Sequence, residues 1–153
     1  MVLLFALKVI YLLWNVGGYL SAGAFVPEVV IEYPEVVAQL HREFIRAGSD
    51  VVQAFTYYGH REKLRIIGKE HLLEKLQKDA LQIAKDTANE FKDLDLMVCG
   101  DVANTNVYDP DDTTSIKQCQ KMYEEQILWA KEAGVDFIVA ETINWVGEMK
   151  IAL

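Results

Sequence analysis

Residues 135–141 (VDFIVAE) form a short apolar run that closes on Glu141. A carboxylate at a strand end can hold a ligand's ammonium group through charge-assisted hydrogen bonds. The same residue reads as well as a solvated strand end or an N-cap partner of the next helix. Gln53, Thr56 and Tyr58 cluster near the C-terminal end of a second such run, residues 50–57 (DVVQAFTY), and Gln53 is equally a polar residue of an interior layer. The two cysteines, Cys99 and Cys119, belong to no CxxC or Cys/His cluster of metal-ligand spacing. Cys99 ends a buried strand-like run and Cys119 falls on an apolar helical stripe, where a free Cys behaves as a small hydrophobe, so both are expected to be structural. His41, His60 and His71 converge on no ligand pattern; His41, beside Arg42 and Glu43, is expected on the surface. No GxGxxG or GxxxxGK[ST] follows a strand, which leaves dinucleotide and P-loop chemistry without support.

The elements that position these residues alternate along the chain. Residues 35–47 carry a helical stripe at Val36, Val37, Leu40 and Phe44, with Gly48 in the place of a C-terminal cap, and residues 50–57 follow as a strand. A longer helix is predicted over 69–91 through Leu72, Leu76, Ala80, Ile83 and Ala84, then a strand over 94–99 (LDLMVC) ending in Gly100. A loop rich in Asn, Asp and Pro spans 104–113. Residues 114–133 repeat the helical stripe through Ile116, Cys119, Tyr123, Ile127 and Ala130, Gly134 caps it, and 135–141 is the next strand. Another helix begins near Trp145. Near-continuous apolar strands alternating with helices indicate a parallel sheet covered by helices, and the pattern alone does not separate an open doubly wound sheet from a closed barrel.

With 153 residues, 52% of them hydrophobic and 25% charged, the chain suits one globular unit. A net charge of −8 argues against nucleic acid or an anionic membrane as partner, and points instead to small molecules or proteins. Residues 1–14 are apolar apart from Lys8: too short for a confident membrane span, long enough for a signal-peptide core. No basic residue precedes the run, whereas Ala22, Gly23 and Ala24 supply small residues for a cleavage position. A buried strand or helix is the preferred reading, in a reducing, cytoplasmic protein.

Four stretches carry a family resemblance: residues 18–28 (GYLSAGAFVPE); 33–37 (YPEVV) with 39–44 (QLHREF); 47–58 (AGSDVVQAFTYY) continuing into Lys63 and Leu64; and 134–141 (GVDFIVAE). Together they resemble the N-terminal half of homocysteine S-methyltransferases of the betaine-homocysteine type. The resemblance implies a partial (β/α)8 barrel of about four βα units with outer helices, over residues 18–153. Residues 1–17 form a divergent apolar segment in place of the first strand. Strands are expected near 5–9, 51–56, 96–100 and 136–140, with the site at their C-terminal ends. Glu141 matches a substrate-binding Glu, and Gln53 a position near the substrate, with Thr56 beside it. Phe25, Tyr57 and Tyr58 correspond in kind to an aromatic pocket for the quaternary ammonium of betaine, which has no N–H to donate and is recognised through aromatic faces. The family has Trp where Phe25 stands and Phe where Tyr57 stands, which leaves a sulfonium donor such as S-methylmethionine open. Core packing is an equal reading of Tyr57.

The resemblance implies methyl transfer to homocysteine, giving methionine, on a zinc held by three cysteine thiolates, all in segments beyond Leu153. The Asp-Gly-Gly turn of the family's first strand also has no counterpart in residues 1–16. The chain is therefore expected to be inactive as a fragment, or else a non-catalytic half-barrel that binds ligands and pairs with itself or a full-length relative. An open half-barrel has free strand edges and an apolar face in water, which drives self-association.

Overall fold

The computed structural model describes residues 28–153, so Phe25, the expected first strand at 5–9 and the apolar segment 1–14 lie outside the described residues. The elements run α1 (Val29–Glu32), α2 (Pro34–Arg46), β1 (Val51–Gln53), α3 (Arg61–Ile66), a 3-10 turn (Glu70–Leu72), α4 (Leu73–Asn89), β2 (Met97–Ala103), α5 (Thr113–Ala133), β3 (Phe137–Glu141) and α6 (Val146–Ala152). The strands form a parallel sheet in the order β1-β2-β3, so each helical crossover delivers the chain to the adjacent position.

Helix α2 starts on Pro34, whose missing N–H costs nothing in the first turn, and buries Val37, Leu40, His41 and Ile45 at helical spacing. It ends in a Schellman motif: Ser49 N donates to Phe44 O and Gly48 N to Ile45 O, with Gly48 at φ 92°. Helix α5 is capped at its start by Asp112, whose Oδ1 accepts from Thr114 N at 2.8 Å, and closes through the same motif at Gly134, φ 69°.

Alternate strand residues face these helices. Val52 and Val98 pack with Val37, Leu40, Ala80, Leu81, Ala84 and Ala130, while Val102 packs with Cys119 and Tyr123. Gly100 sits where α5 approaches the sheet: a Cβ there would lie 3.0 Å from Ala130 Cβ. Gln53, Cys99, Asp101 and Glu141 have the opposite parity and share the other face. At its N-terminal end that face exposes Met97 and Phe137, at 44% and 38% of their surface.

Four expectations need correction. His41 is buried at 2% exposure: its spacing from Val37 and Ile45 puts it on the inward stripe, and that spacing outweighs its charged sequence neighbours. The strand expected at 96–100 runs from Met97 to Ala103, so Cys99 lies inside it and Asp101 belongs to it. The strand expected at 51–56 ends at Gln53, although Ala54 N still donates to Cys99 O at 2.9 Å. There the chain curls, with Thr56 N bonded to Ala54 O and Gly59 N to Thr56 O. The helix expected from 69 begins as a 3-10 turn and is α-helical only from Leu73. No described helix is long and apolar enough to cross a membrane.

Candidate functional site

The ends of the three strands bring Gln53, Asp101 and Glu141 together on the face away from the helices. Gln53 Nε2 donates to Glu141 Oε1 at 3.1 Å, and both residues are 8% exposed. Their strands are not neighbours: β2 lies between them, and adjacent strands stand about 5 Å apart, so β1 and β3 are separated by roughly 10 Å. The two side chains therefore meet over β2, where Asp101 is buried at 3%. Both Asp101 carboxyl oxygens and Glu141 Oε2 have no hydrogen-bond partner. Burial, reinforced by the neighbouring Glu141, pushes the Asp101 carboxyl well above the usual range. Among the described residues these three buried oxygens of two carboxyl groups lack donors, and three such acceptors match in number the three N–H groups of a primary ammonium.

Thr56 and the tyrosines follow directly on β1. Thr56 Oγ1 donates to the backbone carbonyl of Asp101 at 3.2 Å and is buried at 2%, which ties this loop to β2. The rings of Tyr57 and Tyr58 stand 4.2 Å apart, tilted by 40°. The Tyr57 phenol is pushed up to about 12, chiefly by burial and then by its hydrogen bond with Tyr58. Tyr58 already carries a cation: Lys63 Nζ lies 4.3 Å from its ring centroid. His60 meets the Tyr58 ring edge-on at 6.1 Å, and burial followed by Lys63 lowers its imidazole to about 4.

The loops of this rim are strained and braced. Tyr58, Asn106 and Thr142 adopt φ of 58°, 63° and 58°, each shortly after a strand. The left-handed region costs a non-glycine residue on the order of 1–2 kcal/mol, and such residues concentrate at functional rims. Thr142 Oγ1 donates to Asn104 Oδ1 at 3.3 Å, and Asn104 Nδ2 to Asn106 Oδ1 at 2.7 Å, which joins the loops after β2 and β3. From behind, Glu148 of α6, 2% exposed, accepts at Oε1 from Thr105 N (2.7 Å), Thr105 Oγ1 (2.6 Å) and Tyr123 OH (3.1 Å).

Sequence reasoning missed Asp101, Asn104, Thr142 and Glu148. An acid inside the apolar run MVCGDVA was the available signal for Asp101, hidden by ending the strand at Gly100.

The thiols do not make a metal centre. Burial, and then Asp101 and Glu141, push Cys99 up to about 12, and burial raises Cys119, whose Sγ lies 3.2 Å from Thr105 Oγ1. Both shifts run against the thiolate form that ligates zinc. Among the described residues no group of three or more His, Cys, Asp or Glu could hold a metal ion, so they do not fit the zinc site implied by the resemblance.

Comparison with known proteins places this chain in a family. The family model for homocysteine S-methyltransferase matches residues 13–153. Betaine--homocysteine S-methyltransferase 1 of Pongo abelii is 38% identical over 136 residues, covering 86% of this chain and 32% of the relative. The Sus scrofa protein of that name is 36% identical over 135 residues, covering 86% and 47%. The chain thus spans about a third to a half of the length of these relatives. The metallated form of the Escherichia coli homocysteine methyltransferase MmuM superposes with a TM-score of 0.70 at 20% identity, over 82% of this chain and 48% of that one. That likeness carries the fold, and the family-model match over 13–153 carries the membership: the chain belongs to the homocysteine S-methyltransferase family.

Proposed function

We propose that this chain supplies the amino-acid-binding strands of a zinc-dependent homocysteine methyltransferase and, alone, binds homocysteine without transferring a methyl group. The observation that carries this reading is the Glu141 carboxyl, held by Gln53 through one oxygen and unpartnered at the other, at the C-terminal end of a parallel sheet. An ammonium there gains a charge-assisted hydrogen bond to a buried carboxyl oxygen. The contact of Gln53 with Glu141 over β2 in a parallel sheet is compatible with a partial barrel. Tyr57 and Phe25 are proposed to face the methyl donor, betaine or a sulfonium such as S-methylmethionine. Tyr58 joins them only if Lys63 moves off its ring.

Zinc bound elsewhere would lower the pKa of the homocysteine thiol. No described residue stands in for it, since Cys99 and Cys119 lie on separate elements and no group of three or more ligating side chains forms among the described residues. The test is metal content by mass spectrometry with methionine formation from homocysteine and each donor. The reading expects neither zinc nor methionine from the isolated, cytoplasmic chain; near one zinc per chain with turnover overturns it. A second part concerns partners. Exposed Met97 and Phe137 on the face of Gln53 and Glu141 support its completion by a second copy or a full-length relative, and a monomer on size-exclusion chromatography contradicts that.

A further inference from the structure

Asp101 is the one carboxyl in the site whose two oxygens are both buried and both without a partner, and it has only Glu141 as its acidic neighbour across the strands. Among the described residues one side-chain donor reaches this pair, Gln53 Nε2, and it is spent on Glu141 Oε1. Two ionised carboxylates in such a space would leave three charged oxygens with neither water nor a donor, a cost of several kcal/mol per ion. A proton on Asp101 removes most of that cost, because a protonated Asp101 is itself a donor.

Resting on the reading of Glu141 as an ammonium site, we propose that Asp101 carries a proton in the free protein, facing Glu141, and that the ligand's ammonium replaces it, so that amino-acid binding releases a proton. The bound state then has two carboxylates around one ammonium, its three N–H groups matched to Asp101 Oδ1, Asp101 Oδ2 and Glu141 Oε2. The proton leaves to solvent, and no bond other than O–H breaks. Asp101 thereby acts as a specificity residue. It favours a ligand carrying a full positive charge and N–H donors over a neutral amine or a quaternary ammonium, which cannot satisfy three oxygens.

The other titratable groups around the pair do not supply the exchange. Cys99, on the strand of Asp101, is a thiol pushed up to about 12, and Tyr57, which faces Glu141 from the loop after β1, is likewise near 12. Both stay neutral through the range in which the pair acts. Gln53, the remaining polar neighbour, does not titrate.

The test has a ligand-free and a ligand-bound arm, both on the full chain. Infrared spectroscopy of the free wild type at neutral pH should show a buried carboxylic-acid C=O band that is absent in Asp101→Asn and disappears from wild type when homocysteine binds. Calorimetry in two buffers of different ionisation enthalpy should find about one proton released per homocysteine by wild type and none by Asp101→Asn. Wild-type affinity should rise about tenfold per pH unit over the range in which the free chain still holds that proton, and level off above it. Absence of the band, or equal proton release by wild type and Asp101→Asn, overturns the inference and leaves the homocysteine reading intact. If homocysteine fails to bind but methylammonium binds with proton release, the inference stands and the homocysteine reading falls. If neither binds, both fall.

Discussion

Acidification should unfold this chain through two imidazoles. His41 and His60 are each buried at 2% exposure, the His41 ring has no hydrogen-bond partner among the described residues, and burial lowers each imidazole from 6.5 to about 4. A depressed histidine favours the folded state fully above its unfolded value, and that contribution is lost as pH falls from 6.5 toward 4. The gap corresponds to roughly 3 kcal/mol per imidazole, so the two together approach the whole stability of an ordinary domain, about 5–15 kcal/mol. Asp101, raised by burial, has the opposite sign and gains stability as pH falls, which softens the loss without cancelling it. The perturbation that isolates one term is His41→Leu. It removes an unpartnered buried ring from α2 and leaves an apolar side chain among Val37, Leu40 and Ile45. Urea unfolding followed by circular dichroism from about pH 4 to 8 should show the variant losing roughly 3 kcal/mol less than wild type across that range. If both lose stability in parallel, His41 is protonated in the folded state and the reasoning fails.

Other expectations follow from packing and bracing. Gly100→Ala puts a Cβ 3.0 Å from Ala130 Cβ, and should cost about 1–3 kcal/mol in urea unfolding as α5 is pushed from the sheet. Glu148→Ala strands the Thr105 N–H, the Thr105 hydroxyl and the Tyr123 hydroxyl, and should cost about 2–5 kcal/mol. Hydrogen exchange in that variant should quicken at residues 104–106 more than in α4; uniform quickening would mean that Glu148 braces the whole domain rather than this loop.

The repeating units were legible because their periods are strong and their ends are marked: Gly48 and Gly134 both occupy left-handed caps where the sequence places them. What was hidden is instructive in its physics. The six residues of α3 are too few to show a helical stripe, and only Leu64 is buried among them. His41 was misplaced because charged neighbours outweighed spacing. Gln53 and Glu141 were visible as strand-end polar residues, yet their contact depends on the order and register of three strands, which no local pattern encodes. Asp101 was lost to a strand boundary, and Glu148 to distance: it meets Thr105 across 43 positions of sequence.

The central claim is that Glu141 receives the ammonium of homocysteine, and calorimetric binding to wild type and Glu141→Gln tests it most directly. Homocysteine should bind wild type near one per chain and bind the variant about 10- to 100-fold more weakly, the worth of one charged hydrogen bond. The analogue 4-mercaptobutanoate, which lacks the ammonium, should not distinguish the two proteins. Equal homocysteine affinity in a folded Glu141→Gln chain would contradict the account.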